Sequence, residues 1–160
     1  MNPESTRLLP ENIESERALL HQLVGWCEGV RAAREILEPQ DFSRTGHAEI
    51  FSMLCRFNDQ GRCWTPSGLI ESFANHADGK RIADLLSALA PFWLLRDNGP
   101  IRSHAKIVLE NSVRRQGIKL LHSASEKFFD QAECPRETWT KLRDVIAPLV
   151  ARLENSHAES

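Results

Sequence analysis

The side chains of this chain that could do chemistry are its histidines, its cysteines and a scatter of basic residues, and their spacing excludes most of the reactions those types support. His21, His47, His76, His104 and His122 are scattered over several stretches of helical pattern. A histidine that works as a base or metal ligand needs partners held within reach, and short motifs normally supply them. Neither HExxH nor GxSxG occurs, so the helix of a zinc peptidase and the nucleophile turn of a hydrolase are both missing from the sequence. The phosphate-cradling pattern GxxxxGK followed by Ser or Thr is missing too: Gly79-Lys80 is followed by Arg81 and has no glycine at the required upstream position. Cys27, Cys55, Cys63 and Cys134 form no CxxC pair, and a site built from Cys55, Cys63 and His76 follows no standard zinc spacing. The cysteines are therefore expected to be buried or incidental reduced thiols. No catalytic residue, metal or cofactor is expected for this chain.

The basic side chains invite a second reading, as a track for nucleic acid. The net charge is -2, which is not the footprint of a protein that binds phosphate chains unaided. Between residues 99 and 130, six basic and three acidic residues leave a local charge of +3. Arg102, Lys106, Arg114, Arg115 and Lys119 lie there, spread around a helix rather than along one stripe. Their expected contact with DNA is weak and salt-sensitive, and a solvated helix face explains them equally well. Phe92 and Trp93, with Trp64 further upstream, are large aromatics outside regular helical pattern. Two readings stand for them: exposed anchors for a partner, or plugs that fill gaps within the chain.

The elements that would position these residues are helices. With 160 residues, 41% hydrophobic and 26% charged, the composition is that of a globular domain, and no apolar run is long enough for a membrane span. The opening MNPESTRLLPENIESE is acidic and lacks the basic head and apolar centre of a secretory signal, so a cytoplasmic location is expected. Apolar residues recur at three- and four-residue steps, with no alternation of period two. Asn12 caps a helix over about 13–24, and Gly25 ends it. A second covers about 28–37 and stops ahead of Pro39, and a third covers about 47–59 and ends at Gly61. Thr65-Pro66 starts a fourth carrying Leu69, Ile70 and Phe73, closed by Ala77-Asp78-Gly79, and Ile82, Leu85, Leu86 and Leu89 define a fifth.

PFWLLRDNGP, residues 91–100, interrupts the helical pattern with two prolines and an Asn-Gly pair and reads as a linker. Two long helical patterns follow, about 101–129 and 136–153, and the short loop between them requires antiparallel packing. The second arm carries a heptad seam at Trp139, Leu142, Ile146, Leu149 and Leu153. Val113, Gly117, Leu120, Ala124 and Phe128 answer it on the first arm, where small residues would allow close approach. Pro148 should bend the second arm near Asp144. The expected fold is all-α: a flexible N-terminus (1–10), a compact helical bundle (11–97), a long antiparallel helical hairpin (98–154) and a tail (155–160). Leu121, Phe129, Val145, Ile146, Leu149 and Val150 are the apolar residues expected to seek a second chain.

Three blocks, in order, resemble one family. LPENIESERALL (9–20) is similar to the start of the N-terminal domain of DnaB-type replicative DNA helicases, Leu-Pro-x-Asn-Ile-Glu-x-Glu followed by a small-apolar run. ILEPQDFSRTGHAEIFSML (36–54) is similar to that family's Leu-x-Pro-x-Asp-Phe, then His and Ile-Phe. HAKIVLENSVRR (104–115) resembles its Tyr-Ala-x-Ile-Val-x-Glu-x-Ser with trailing arginines. The resemblance implies a helical head and hairpin without enzyme activity, which associates into dimers and a ring collar and docks primase or a helicase loader. ATP and Mg would belong to a separate motor domain, which the family carries beyond the point where this sequence ends. The sequence is therefore expected to be either an excised N-terminal domain or a free-standing accessory protein that regulates or loads a full-length helicase. It departs from the family at NGPI (98–101) and at PFWLL, so the resemblance does not carry partner choice over at that junction.

Overall fold

Asn12 begins the first helix by accepting the Ser15 N–H on its side-chain oxygen at 2.9 Å, which satisfies one of the donors that a helix start leaves open. The computed structural model describes residues 9–73, 79–89, 101–130 and 134–158. Every regular element among them is helical: α1 (Ile13–Gly25), α2 (Gly29–Arg34), a 3-10 turn (Pro39–Asp41), α3 (Thr45–Asp59), α4 (Pro66–Phe73), α5 (Gly79–Leu89), α6 (Ile101–Phe129) and α7 (Pro135–Ala158). The fold is all-α, a helical bundle followed by a helical hairpin. No helix of the described residues is long and apolar enough to cross a membrane.

Residues 12–109 form one unit, and the described residues up to Glu11 and from Glu110 onward form another. The boundary lies inside α6 rather than at the expected position 98. Ile101, Ala105, Val108 and Leu109, at helical spacing on the first turns of α6, are all buried within the bundle unit, and Arg102 there is ion-paired with Glu35.

The bundle core is built from one stripe of each helix. Leu19, Leu20, Leu23 and Val24 of α1 and Ile50, Phe51 and Leu54 of α3 are buried, and the Phe42 ring rests against Phe51 with centroids 5.1 Å apart. Within this apolar interior sits a carboxylate. Glu16 accepts the Ser43 N–H at 2.7 Å on one oxygen, and its other oxygen lies 2.7 Å from His47 Nδ1. A buried charge is tolerated only when partners occupy its lone pairs, and here they come from the loop before α3 and from α3 itself.

α2 is shorter than its pattern suggested. Beyond Arg34 the chain closes with Ile36 and Leu37 N–H groups both donating to the Ala33 carbonyl, because Glu38, ahead of Pro39, must be extended (φ -117, ψ 158). Buried Asp41 then accepts the Glu38 N–H at 2.8 Å and fixes the 3-10 turn. α3 ends in a Schellman arrangement: Arg62 N–H donates to Phe57 O, Gly61 N–H to Asn58 O, and Gly61 takes the left-handed φ of 63°. Thr65 caps α4 through the Gly68 N–H at 3.2 Å, and Leu69, Phe73 and Leu86 are buried. Gly79 is the first residue of α5 rather than the end of the preceding helix.

Candidate self-association surface

The second unit is the hairpin. From Glu110 on, α6 presents Leu120 and Ala124 to the same depression that α7 lines with Thr138, Leu142 and Val145, and the Phe128 and Trp139 rings meet at 5.0 Å. Falling numbers on α6 thus meet rising numbers on α7, so the arms run antiparallel. Ser112 and Ala124 on α6 and Thr138, Leu149 and Ser156 on α7 are buried. Pro135 starts α7 at its first turn, where a missing N–H costs nothing, and the helix runs on through Pro148.

The inward face of α7 differs from the heptad reading. Thr138 is buried, whereas Trp139 and Ile146 are exposed. Opposite small Ala124, the compact Thr138 fits where an indole would not, and Trp139 lies instead against Phe128 near the loop. Close approach at Gly117 is not observed either, since a Cβ added there would meet nothing within 4 Å.

Of the six residues expected to seek a second chain, five lie open. Leu121 is 61% exposed and Phe129 84%, with Val145, Ile146 and Val150 also exposed. Leu149 is the correction: at 9% exposure its side chain is taken up within the chain, because the inward face runs through positions 138, 142 and 149. Sequence reasoning missed Ile118, Phe128 and Trp139, all exposed. On α6, Ile118, Leu121 and Phe128 share one face; on α7, Trp139, Ile146 and Val150 form a stripe about a quarter turn from the inward face. The 118–121–128 and 139–146–150 spacings carry the signal, but the heptad reading places Phe128 and Trp139 in the interior.

Arg102 is ion-paired with Glu35, Arg114 lies 3.6 Å from Glu110, and Arg115 donates to the Pro10 carbonyl at 3.0 Å. Lys106 is half-buried and Lys119 exposed. Trp64 is a plug rather than an anchor: its indole N–H donates to the Val24 carbonyl at 3.1 Å and its ring packs on Phe57. Phe92 and Trp93 lie outside the described residues, as does His76. Cys63 and Cys134 are exposed and Cys27 and Cys55 half-buried. No group of three or more His, Cys, Asp or Glu side chains among the described residues is placed to hold a metal ion.

A helical bundle continued by an antiparallel hairpin is the fold of a known replication module. The crystal structure of the N-terminal domain of DnaB helicase from Mycobacterium tuberculosis superposes with a TM-score of 0.74 at 17% identity, over 88% of this chain and 99% of that one. The DnaB-like helicase N-terminal domain model matches residues 8–110, and the chain belongs to that family. It is 32% identical over 127 residues to replicative DNA helicase DnaB of Geobacillus stearothermophilus, covering 76% of this chain and 27% of the relative. It is 26% identical over 157 residues to replicative DNA helicase DnaC of Bacillus subtilis (strain 168), covering 94% and 33%. The chain thus spans about a third or less of the curated relatives it matches.

The residues that carried the family resemblance turn out to be folding devices. Asn12, Glu16, Asp41 and His47 respectively cap α1, bind the α3 entrance, fix the 3-10 turn and complete the buried pair.

Proposed function

We propose that this domain serves DNA replication as an assembly module without catalysis of its own. Its hairpins pair copies of the chain into dimers and, through them, a ring collar, and the assembled collar recruits primase or a helicase loader. The observation that supports this best is the exposure of large apolar side chains on both arms of the hairpin, Leu121 and Phe129 on one and Val145, Ile146 and Val150 on the other. Burying a large side chain of this kind is worth about 1.5–3 kcal/mol, so a symmetric interface that covers the flank twice gains appreciable affinity. The family and the names of the relatives supply the replicative context, and a cytoplasmic location goes with it. ATP and Mg have no role in this domain on this reading.

Gel filtration with in-line light scattering tests it. The expected result is a dimer or larger assembly at micromolar concentration that takes added bacterial primase into its peak. A monomer of 18.2 kDa up to high micromolar concentration, with primase eluting separately, would overturn it.

A further inference from the structure

Outside the hairpin, the bundle brings two thiols together. Cys27, in the turn between α1 and α2, and Cys63, between α3 and α4, are 36 residues apart in sequence, and their sulfurs lie 2.6 Å apart. Both positions are tethered by neighbouring residues rather than by the cysteine side chains. On one side, the Schellman bonds at Gly61 and Arg62 fix the residues before Cys63, and the next residue, Trp64, is bonded to the Val24 carbonyl at the end of α1. On the other, Gly29 N–H donates to Trp26 O across the turn that holds Cys27. The two sulfurs are therefore placed by the fold, with Cys63 exposed and Cys27 half-buried.

We propose that Cys27 and Cys63 are a reversible thiol–disulfide site that ties the α1–α2 turn to the α3–α4 connection when the reduced protein meets a small-molecule disulfide such as oxidised glutathione. The exposed Cys63 thiolate attacks one sulfur of that disulfide, forming a mixed disulfide and releasing one small thiol. Cys27, as thiolate, then attacks Cys63 Sγ, and the second small thiol leaves. Two electrons pass from the cysteine pair to the small disulfide, and the two thiol protons end on the two released thiols. Excess small thiol runs the sequence backwards. The order follows from the site: Cys63 is open to the small disulfide while Cys27 is half-buried, and the hydrogen bond with Cys63, with burial after it, pushes the Cys27 thiol up, so Cys63 is the first nucleophile. Cys55 competes poorly, because burial pushes its thiol up to about 11.

The test treats the reduced 160-residue chain, carrying Cys134→Ser to remove the other exposed thiol, with oxidised glutathione. Free thiols are counted after denaturation, and the products are mapped by mass spectrometry without reduction. The expected result is loss of two thiols with no glutathione retained, a cross-linked peptide joining 27 and 63, a monomeric band on a denaturing gel, and full recovery with dithiothreitol. Adding Cys27→Ser should leave one glutathione on Cys63 and no cross-link, with the circular dichroism spectrum unchanged. Separate glutathione adducts on Cys27 and Cys63, or disulfide-linked dimers in place of the internal bridge, would overturn the proposal.

Discussion

Glu16 and His47 form a buried pair across α1 and α3, with Oε2 2.7 Å from Nδ1 and the second carboxylate oxygen occupied by the Ser43 N–H. The bond explains why a charged residue interrupts the apolar stripe of α1. It also fixes where the chain enters α3, and so where Ile50, Phe51 and Leu54 meet the core. Removing the carboxylate leaves a buried imidazole and a part-buried N–H without their partner. Glu16→Ala should therefore cost about 3 kcal/mol and lower Tm by roughly 10 °C in a calorimetric scan.

The same carboxylate makes stability depend on pH. Burial alone raises the Glu16 pKa, but the hydrogen bonds from His47 and from Ser43 outweigh it, and the group ends below its ordinary 4.5. A carboxyl depressed in the folded state stabilises fully above its unfolded value, and that stability is lost as pH falls through the folded one. Urea midpoints measured from pH 7 to pH 3 should fall more steeply for the wild type below about pH 4.5 than for Glu16→Gln. Parallel curves would contradict the assignment.

Two glycines should respond to alanine with opposite signs. Gly61 holds φ of 63° at the end of α3, where a Cβ costs about 1 kcal/mol or more. Gly117 is interior to α6, with open space where its Cβ would stand, and a helical alanine there should stabilise by up to about 1 kcal/mol. Chemical denaturation of the two variants at low protein concentration checks both.

Single-stranded DNA should bind weakly. Arg102 and Arg114 are paired to carboxylates, Arg115 is bonded to Pro10, and the net charge is -2. Fluorescence anisotropy should show an affinity weaker than micromolar at physiological salt that is lost within a modest rise in ionic strength. Tight binding abolished by reversing the charge of Arg114 and Arg115 would make this domain a nucleic-acid binder.

Helix positions were largely legible in the sequence because their signals are local. Asn12, Gly61, Thr65-Pro66 and the periodicity of α6 each act within a turn or two, and the observed ends of α1, α3 and α6 lie within two residues of the expectation. What failed depended on the third dimension. The rotation of α7 that buries Thr138 and Leu149 and exposes Trp139 and Ile146 is set by which α6 residue stands opposite, and a heptad count does not contain that. The domain boundary moved into α6 because Ile101, Ala105, Val108 and Leu109 serve the bundle, although they continue the hairpin's helix. The Cys27–Cys63 pair joins residues 36 positions apart, a distance over which no sequence periodicity operates. Within the candidate surface, Leu121, Phe129, Val145 and Val150 were legible as apolar residues left over once a seam was assigned.

The hairpin flank is best tested by making it polar without touching the core. Val145, Ile146 and Val150 are exposed, so Ile146→Asp with Val150→Asp should leave helicity intact and change the monomer's Tm by only a few degrees. Sedimentation velocity over a concentration series should then show wild-type chains associated at micromolar concentration and the double variant as a monomer of 18.2 kDa throughout. A wild type that is already monomeric at every concentration, or a double variant that associates as strongly as the wild type, would contradict the assignment of this surface.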